Sequence, residues 1–212
     1  NPSQTTLDAT YMFPLNADAA VYAMEYVVGD EVIVAKIQTR QEATQTFEVA
    51  KKEGKSAALL VQERPNVFTQ SLANIPGTTA VTVRIRYVHH AERRDGEYVV
   101  NLPTRVGRRY DPADLSGNTL GGEVFKPTSA GLPPGMLSFM GTVSAGVKVG
   151  SFSSPTHPIT TRRLGTTGFA FESGEHLPND DFEVRWTIAG AEASASVTTT
   201  YDVPTDTTYF SA

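Results

Sequence analysis

Apolar and polar residues alternate with a period of two along most of the chain. In the cleanest run, Val81, Val83, Ile85 and Tyr87 share one side and Thr82, Arg84 and Arg86 the other, as in a half-buried antiparallel strand. Phe182, Val184, Trp186 and Ile188 alternate with Glu183, Arg185 and Thr187 in the same way, and Ala193, Ala195 and Val197 with Glu192, Ser194, Ser196 and Thr198. Ala189-Gly190 supplies a hairpin turn between these two runs. Further strands are predicted at residues 9–13, 21–28, 31–38, 57–62, 67–73, 97–102, 142–149 and 168–172, with turns at Gly29-Asp30 and Asp95-Gly96. One segment departs from this rhythm. Thr39 and Glu42 have capping-box spacing, Ala43, Phe47 and Ala50 recur at helical intervals, and Gly54 follows Lys51-Lys52-Glu53 as a stop. One helix is therefore predicted, at about residues 40–53, with Phe47 docked on a sheet. Residues 107–134 are rich in Gly and Pro and lack a clear period, as in a long functional loop or a seam.

The pattern predicts a mostly β protein, a two-sheet antiparallel sandwich with one short helix, in one domain over residues 1–212. A chain of 212 residues can bury most of its apolar surface in one core. With 18 Lys+Arg against 23 Asp+Glu, the net charge of -5 supplies no basic field for nucleic acid. The absence of Cys removes disulfides, thiol nucleophiles and thiolate metal sites. No apolar run is long enough to span a bilayer as a helix.

Chemistry is hard to place on this pattern. No phosphate-cradling glycine loop, nucleophile elbow, HExxH or calcium-loop motif occurs, so no enzyme and no cofactor are expected. Adjacent His89 and His90 point to opposite faces of a strand, while His157 suits a hydrogen bond within its Ser-Pro-Thr-His-Pro turn. Asn179, Asp180 and Asp181 offer hard oxygen ligands for calcium or a solvated turn opening the next strand. Arg105, Arg108 and Arg109 before Tyr110 are the candidate partner contact, either binding an anionic group or pairing with nearby carboxylates. Tyr110 and Trp186 are the aromatics that a carbohydrate binder would use, although Trp186 shares the core side of its strand with Phe182 and Val184.

A series of residues resembles the VIT domain, the module named for vault protein and inter-alpha-trypsin inhibitor. It starts with Tyr11-Met12-Phe13-Pro14-Leu15 and Asp18-Ala19-Ala20-Val21, and runs through Glu42-Ala43, Phe47, Gly54 and Ala58-Leu59-Leu60. It continues through Glu63-Arg64-Pro65-Asn66-Val67-Phe68 and Asn74-Ile75-Pro76-Gly77 to Leu102-Pro103-Thr104 and Arg109-Tyr110-Asp111-Pro112. A looser likeness follows at Ser154-Pro155-Thr156-His157 and from Asp180 to Trp186. The wording from Arg64 to Thr69 is most similar to bacterial surface proteins in which the domain precedes a von Willebrand factor A domain. The A-domain metal signature Asp-x-Ser-x-Ser does not occur in this chain. Pro14, Gly54, Asn74 and Gly77 read physically as folding determinants, with Asn74 suited to bridging backbone groups.

The resemblance implies a non-catalytic interaction module of an exported or cell-surface protein, outside the cell or in a bacterial envelope. Its partner would be an A domain of the same precursor or a neighbouring subunit. The family's domain opens with a strand pair ahead of the segment matching Asn1. This raises a second expectation, a structural subunit that forms homo-oligomers by strand complementation at an open sheet edge.

Overall fold

A computed structural model describes residues 1–104, 119–120, 123–124, 135–188, 198–202 and 207–211. Strands dominate these residues, all pairings are antiparallel, and one helix is present among them. The described residues gather into two compact units, where the sequence analysis expects a single domain. One comprises Asn1–His90 with Pro103–Ala130, the other Ala91–Leu102 with Gly131–Ala212.

The first unit opens with β1 (Leu7–Pro14), β2 (Ala20–Val28), β3 (Glu31–Val34), helix α1 (Arg40–Lys52), β4 (Ala57–Arg64), β5 (Val67–Ile75) and β6 (Val81–Val88). One sheet has the order β1-β5-β4 and the other β3-β2-β6. Their apolar sides meet in two clusters. Tyr26 and Val28 of β2 pack with Leu72 and Ile75 of β5, while Leu15, Ala19 and Phe68 gather Phe13, Val21, Leu60 and Tyr87 around them. Burying each large side chain of this kind stabilises by about 1.5–3 kcal/mol.

The helix begins where the sequence places it. The Thr39 hydroxyl accepts from the Glu42 N–H, and the Thr39 N–H donates back to the Glu42 carboxylate, a reciprocal capping box. Phe47 is its buried residue. Its end is fixed from outside: Asn74, at φ 54, donates from Nδ2 to the Lys51 and Lys55 carbonyls at 2.9 and 2.8 Å. The Asn74 N–H donates to Asp8, whose carboxylate also meets Lys51 Nζ at 2.8 Å. Gly77 is needed for closeness rather than for a special backbone angle, because a Cβ there would lie 2.5 Å from the Gln4 carbonyl.

The second unit contributes β7 (Glu92–Arg94) and β8 (Glu97–Leu102). A two-residue pair, β9 (Thr119–Leu120) and β10 (Glu123–Val124), then falls within the first unit's residues. The second unit continues with β11 (Met140–Ser144), β12 (Val149–Ser153), β13 (Ile159–Leu164), β14 (Gly168–Ser173), β15 (Phe182–Ile188), β16 (Thr198–Asp202) and β17 (Thr207–Ser211). Its sheets are β11-β14-β13, β12-β15-β8-β7 and the hairpin β16-β17. Aromatic rings join the two larger sheets: Phe139 stacks on Phe182 at 4.0 Å, and Phe152 meets Phe169 and Phe171 at 5.3 and 5.4 Å. Arg163 of β13 lies over Phe169 and donates to the Val149 and Gly150 carbonyls of β12, tying the two edges together.

The predicted turns at Gly29-Asp30 and Asp95-Gly96 form, and Asp95 and Gly96 both take the positive φ of a two-residue hairpin. Two predicted strands are shortened or divided. The run from Glu31 ends at Val34, and the run at 142–149 breaks into β11 and β12 around Gly146, at φ 70. Of the run containing Ala193, residues 198–202 are strand, while Ala189-Gly190 and the residues up to 197 lie outside the described residues.

Candidate interaction surface

The most prominent surface feature of the first unit lies on sheet β3-β2-β6. Ten large apolar side chains stand exposed among the described residues, and five of them, Tyr22, Val32, Val34, Ile37 and Val88, belong to this sheet or follow it directly. The register explains the grouping. Met24, Tyr26 and Val28 of β2 are buried inward, so Glu25 and Val27 face out, and Val34 and Val32 of β3 lie opposite them. On the other side β6 places Arg84 opposite Glu25 and Thr82 opposite Val27. A bulge between Val21 and Ala23 interrupts the alternation, and Tyr22 stands exposed there.

The charge on this face is unequal. Arg84 and Arg86 both reach Glu25, at 3.3 and 3.1 Å, so two guanidiniums share one carboxylate. Exposed pairs of this kind contribute about 0–1 kcal/mol to folding; their consequence is one surplus positive charge beside exposed valines. Apolar area with arginine at its rim is what buried protein contacts favour. At the far end Asp18 accepts from the His90 N–H at 2.8 Å, which holds its carboxyl below the usual range.

Residues singled out from sequence fare differently. Arg105, Arg108, Arg109 and Tyr110 lie outside the described residues. His89 and His90 follow β6 directly. The His157 N–H donates to Ser154 Oγ within its turn, and its ring lies 4.7 Å from that of His176, a neighbour that sequence spacing does not reveal. Asn179, Asp180 and Asp181 form the turn that opens β15. No cluster of three His, Asp or Glu side chains able to hold a metal forms among the described residues. Trp186 stacks on Tyr98 at 5.6 Å, and its part-buried ring stands in a cross-strand row with Phe152 and Arg93 rather than as an open platform.

A two-sheet antiparallel module with an apolar, arginine-rimmed face has the build of a protein-binding domain. Comparison with known proteins covers part of the chain: residues 1–87 match the family model of the vault protein inter-alpha-trypsin (VIT) domain. That stretch takes in the first unit's two three-stranded sheets, as far as Tyr87 of β6, and the helix. The looser likeness over residues 154–157 and 180–186 falls beyond it. The mouse von Willebrand factor A domain-containing protein 5A is 32% identical over 122 residues, 56% of this chain and 15% of that protein. Its human counterpart is 30% identical over 113 residues, 52% of this chain and 14% of that protein. The mouse protein mono-ADP-ribosyltransferase PARP4 is 36% identical over 88 residues, 42% of this chain and 4% of that protein. The chain thus spans a small fraction of the length of these mammalian relatives.

Proposed function

We propose that the chain is a non-catalytic interaction module of a longer polypeptide, and that the outer face of β3-β2-β6 packs against a neighbouring A-type domain. The observation that carries this reading is the concentration of exposed Tyr22, Val32, Val34, Ile37 and Val88 on the sheet that bears Arg84 and Arg86. Relatives whose name includes a von Willebrand factor A domain support the choice of partner. An exported or cell-surface location, in a bacterial envelope, rests on the residues from Arg64 to Thr69, and fractionation of the source cells tests it.

Hydrogen exchange compared between this chain and the full-length protein tests the interface. Amides of residues 31–38 and 82–88 should gain protection in the longer protein, and Val34→Asp should reverse the gain. Unchanged protection at both segments would rule this face out.

A further inference from the structure

The outer face of β3-β2-β6 is divided along its length. Across the sheet Val32 lies in line with Val27 and Thr82, and Val34 with Glu25 and Arg84, while Arg86 lies opposite Ala23. The β3 flank is therefore apolar, with Val32 and Val34 both exposed. The β6 flank is cationic, and the carboxylate between the two is that of Glu25.

Both oxygens of that carboxylate are engaged. Its Oε2 accepts from Arg84 and its Oε1 from Arg86, and the Glu25 side chain is only 22% exposed. Each guanidinium spends one amino group on this contact and keeps the rest of its N–H fork open. Among the described residues neither arginine has a second hydrogen bond or ion pair, and their side chains are 55% and 54% exposed. In water the surplus charge is hydrated at little cost. Under a covering surface it is not, because burying a cation without its own partner costs far more than burying a paired one. The two flanks lie two strand spacings apart, about 10 Å, so a protein contact of ordinary size over the valines also covers the arginines.

We infer that the domain packed on this face carries a carboxylate over β6, which takes the guanidinium that Glu25 leaves short. This rests on the packing proposed above and specifies the chemistry of its partner: an apolar ridge for Val32 and Val34 beside an acidic side chain for Arg84 or Arg86. Arginine suits the part, since its planar fork can hold a second carboxylate while one amino group stays with Glu25. The valines then supply area, and the carboxylate fixes register and excludes neutral or basic surfaces.

The sign of one substitution decides between the alternatives. Arg84→Gln removes the surplus charge and leaves Arg86 with Glu25. Opposite a partner carboxylate this strands an anion and weakens docking; with no carboxylate there it removes an uncompensated cation and tightens docking. Hydrogen exchange at residues 31–38 and 82–88 is measured in the full-length protein and compared with the same variant of this chain alone. Arg84→Gln, with its fold checked by circular dichroism and urea midpoint, should lower the added protection at least roughly threefold in about 0.05 M NaCl, and the deficit should shrink in about 0.5 M. Arg86→Gln should act alike, and Arg84→Lys, which keeps the charge, should retain most of the protection. Unchanged or raised protection in both glutamine variants, alongside a loss in Val34→Asp, would overturn the carboxylate and leave the packing standing. A deficit as large in Arg84→Lys as in Arg84→Gln would also overturn it, as lost shape rather than lost charge. Wild-type segments no better protected in the full-length protein than in this chain would overturn the packing and the carboxylate together.

Discussion

Asn74 joins three parts of the first unit, and removing its side chain should separate the physical terms involved. Its Nδ2 donates to two carbonyls at the end of α1, and its backbone takes φ 54. In Asn74→Ala both hydrogen bonds vanish, at about 0.5–1.5 kcal/mol each. The alanine must also adopt the left-handed conformation, which costs about 1–2 kcal/mol. The expected loss is roughly 2–5 kcal/mol, a large share of the ~5–15 kcal/mol that holds a domain folded. Asn74→Gly keeps the backbone conformation and loses only the side-chain bonds, so it should lie about 0.5–1 kcal/mol above alanine. Asn74→Asp keeps the shape but points carboxylate oxygens at two carbonyl oxygens, and should be no better than alanine. Urea denaturation followed by circular dichroism ranks the variants, and hydrogen exchange at residues 51–56 reports the helix end. Asn74→Asp as stable as Asn74→Gly, or Asn74→Ala within about 0.5 kcal/mol of wild type, would refute the reasoning.

Three further tests address other features. Asp8 is held below the usual carboxylate range, first by the Lys51 hydrogen bond and then by the Asn74 N–H. Its stabilisation is present above the ordinary carboxylate range and fades as pH falls through the lowered value. Asp8→Asn should therefore flatten the acid limb of the stability curve below about pH 4, by no more than ~1 kcal/mol for so exposed a pair; an unchanged acid limb argues against the pairing. Burial raises the Tyr26 phenol, and its hydroxyl has no partner among the described residues, so the fold loses stability as alkali ionises the unfolded phenol first. Tyr26→Phe should be neutral or about 1 kcal/mol more stable in melts near neutral pH and should resist alkali better; a clear destabilisation would reveal a hydroxyl partner. A Cβ at Gly168 would lie 2.5 Å from the Val143 carbonyl oxygen, so Gly168→Ala should cost about 1–3 kcal/mol in unfolding followed by Trp186 emission. A loss under ~0.5 kcal/mol would show that the strands separate easily there.

Local signals carried much of this fold. Thr39, Glu42 and Gly54 bound the helix within one residue, because capping chemistry acts over three or four positions. β6, with one wet face, is legible by alternation, and so is β15, although none of its residues is exposed. β13 did not, since Thr160 to Arg163 are all exposed and the strand is held through its backbone pairing with β14. β7 escaped notice for the same reason, being three exposed charged residues. The division into two units depends on which distant strands pair, and its local trace is the Gly- and Pro-rich stretch at 107–134, within which the boundary between Ala130 and Gly131 falls. The exposed valines of β3 could have been read from sequence: Glu31-Val32-Ile33-Val34 is apolar on both sides, a departure from alternation that marks a second covered face. The expected contact residues Arg105, Arg108, Arg109 and Tyr110, which rest on guanidinium chemistry and an aromatic ring, lie outside the described residues.

The place of β8 in the chain has a kinetic consequence. Glu97–Leu102 pairs with Phe182–Ile188 in the sheet of the second unit, some eighty positions later, whereas the first unit's two three-stranded sheets are complete by Val88. On the ribosome the first unit can therefore close as soon as its own strands have emerged. The β7-β8 hairpin must wait, one flank unsatisfied and Val99 uncovered, until the chain is nearly finished. A nascent or truncated chain ending between residues 130 and 182 is thus an aggregation-prone intermediate even when its first unit is fully native, and the yield of the whole protein depends on how quickly β15 arrives.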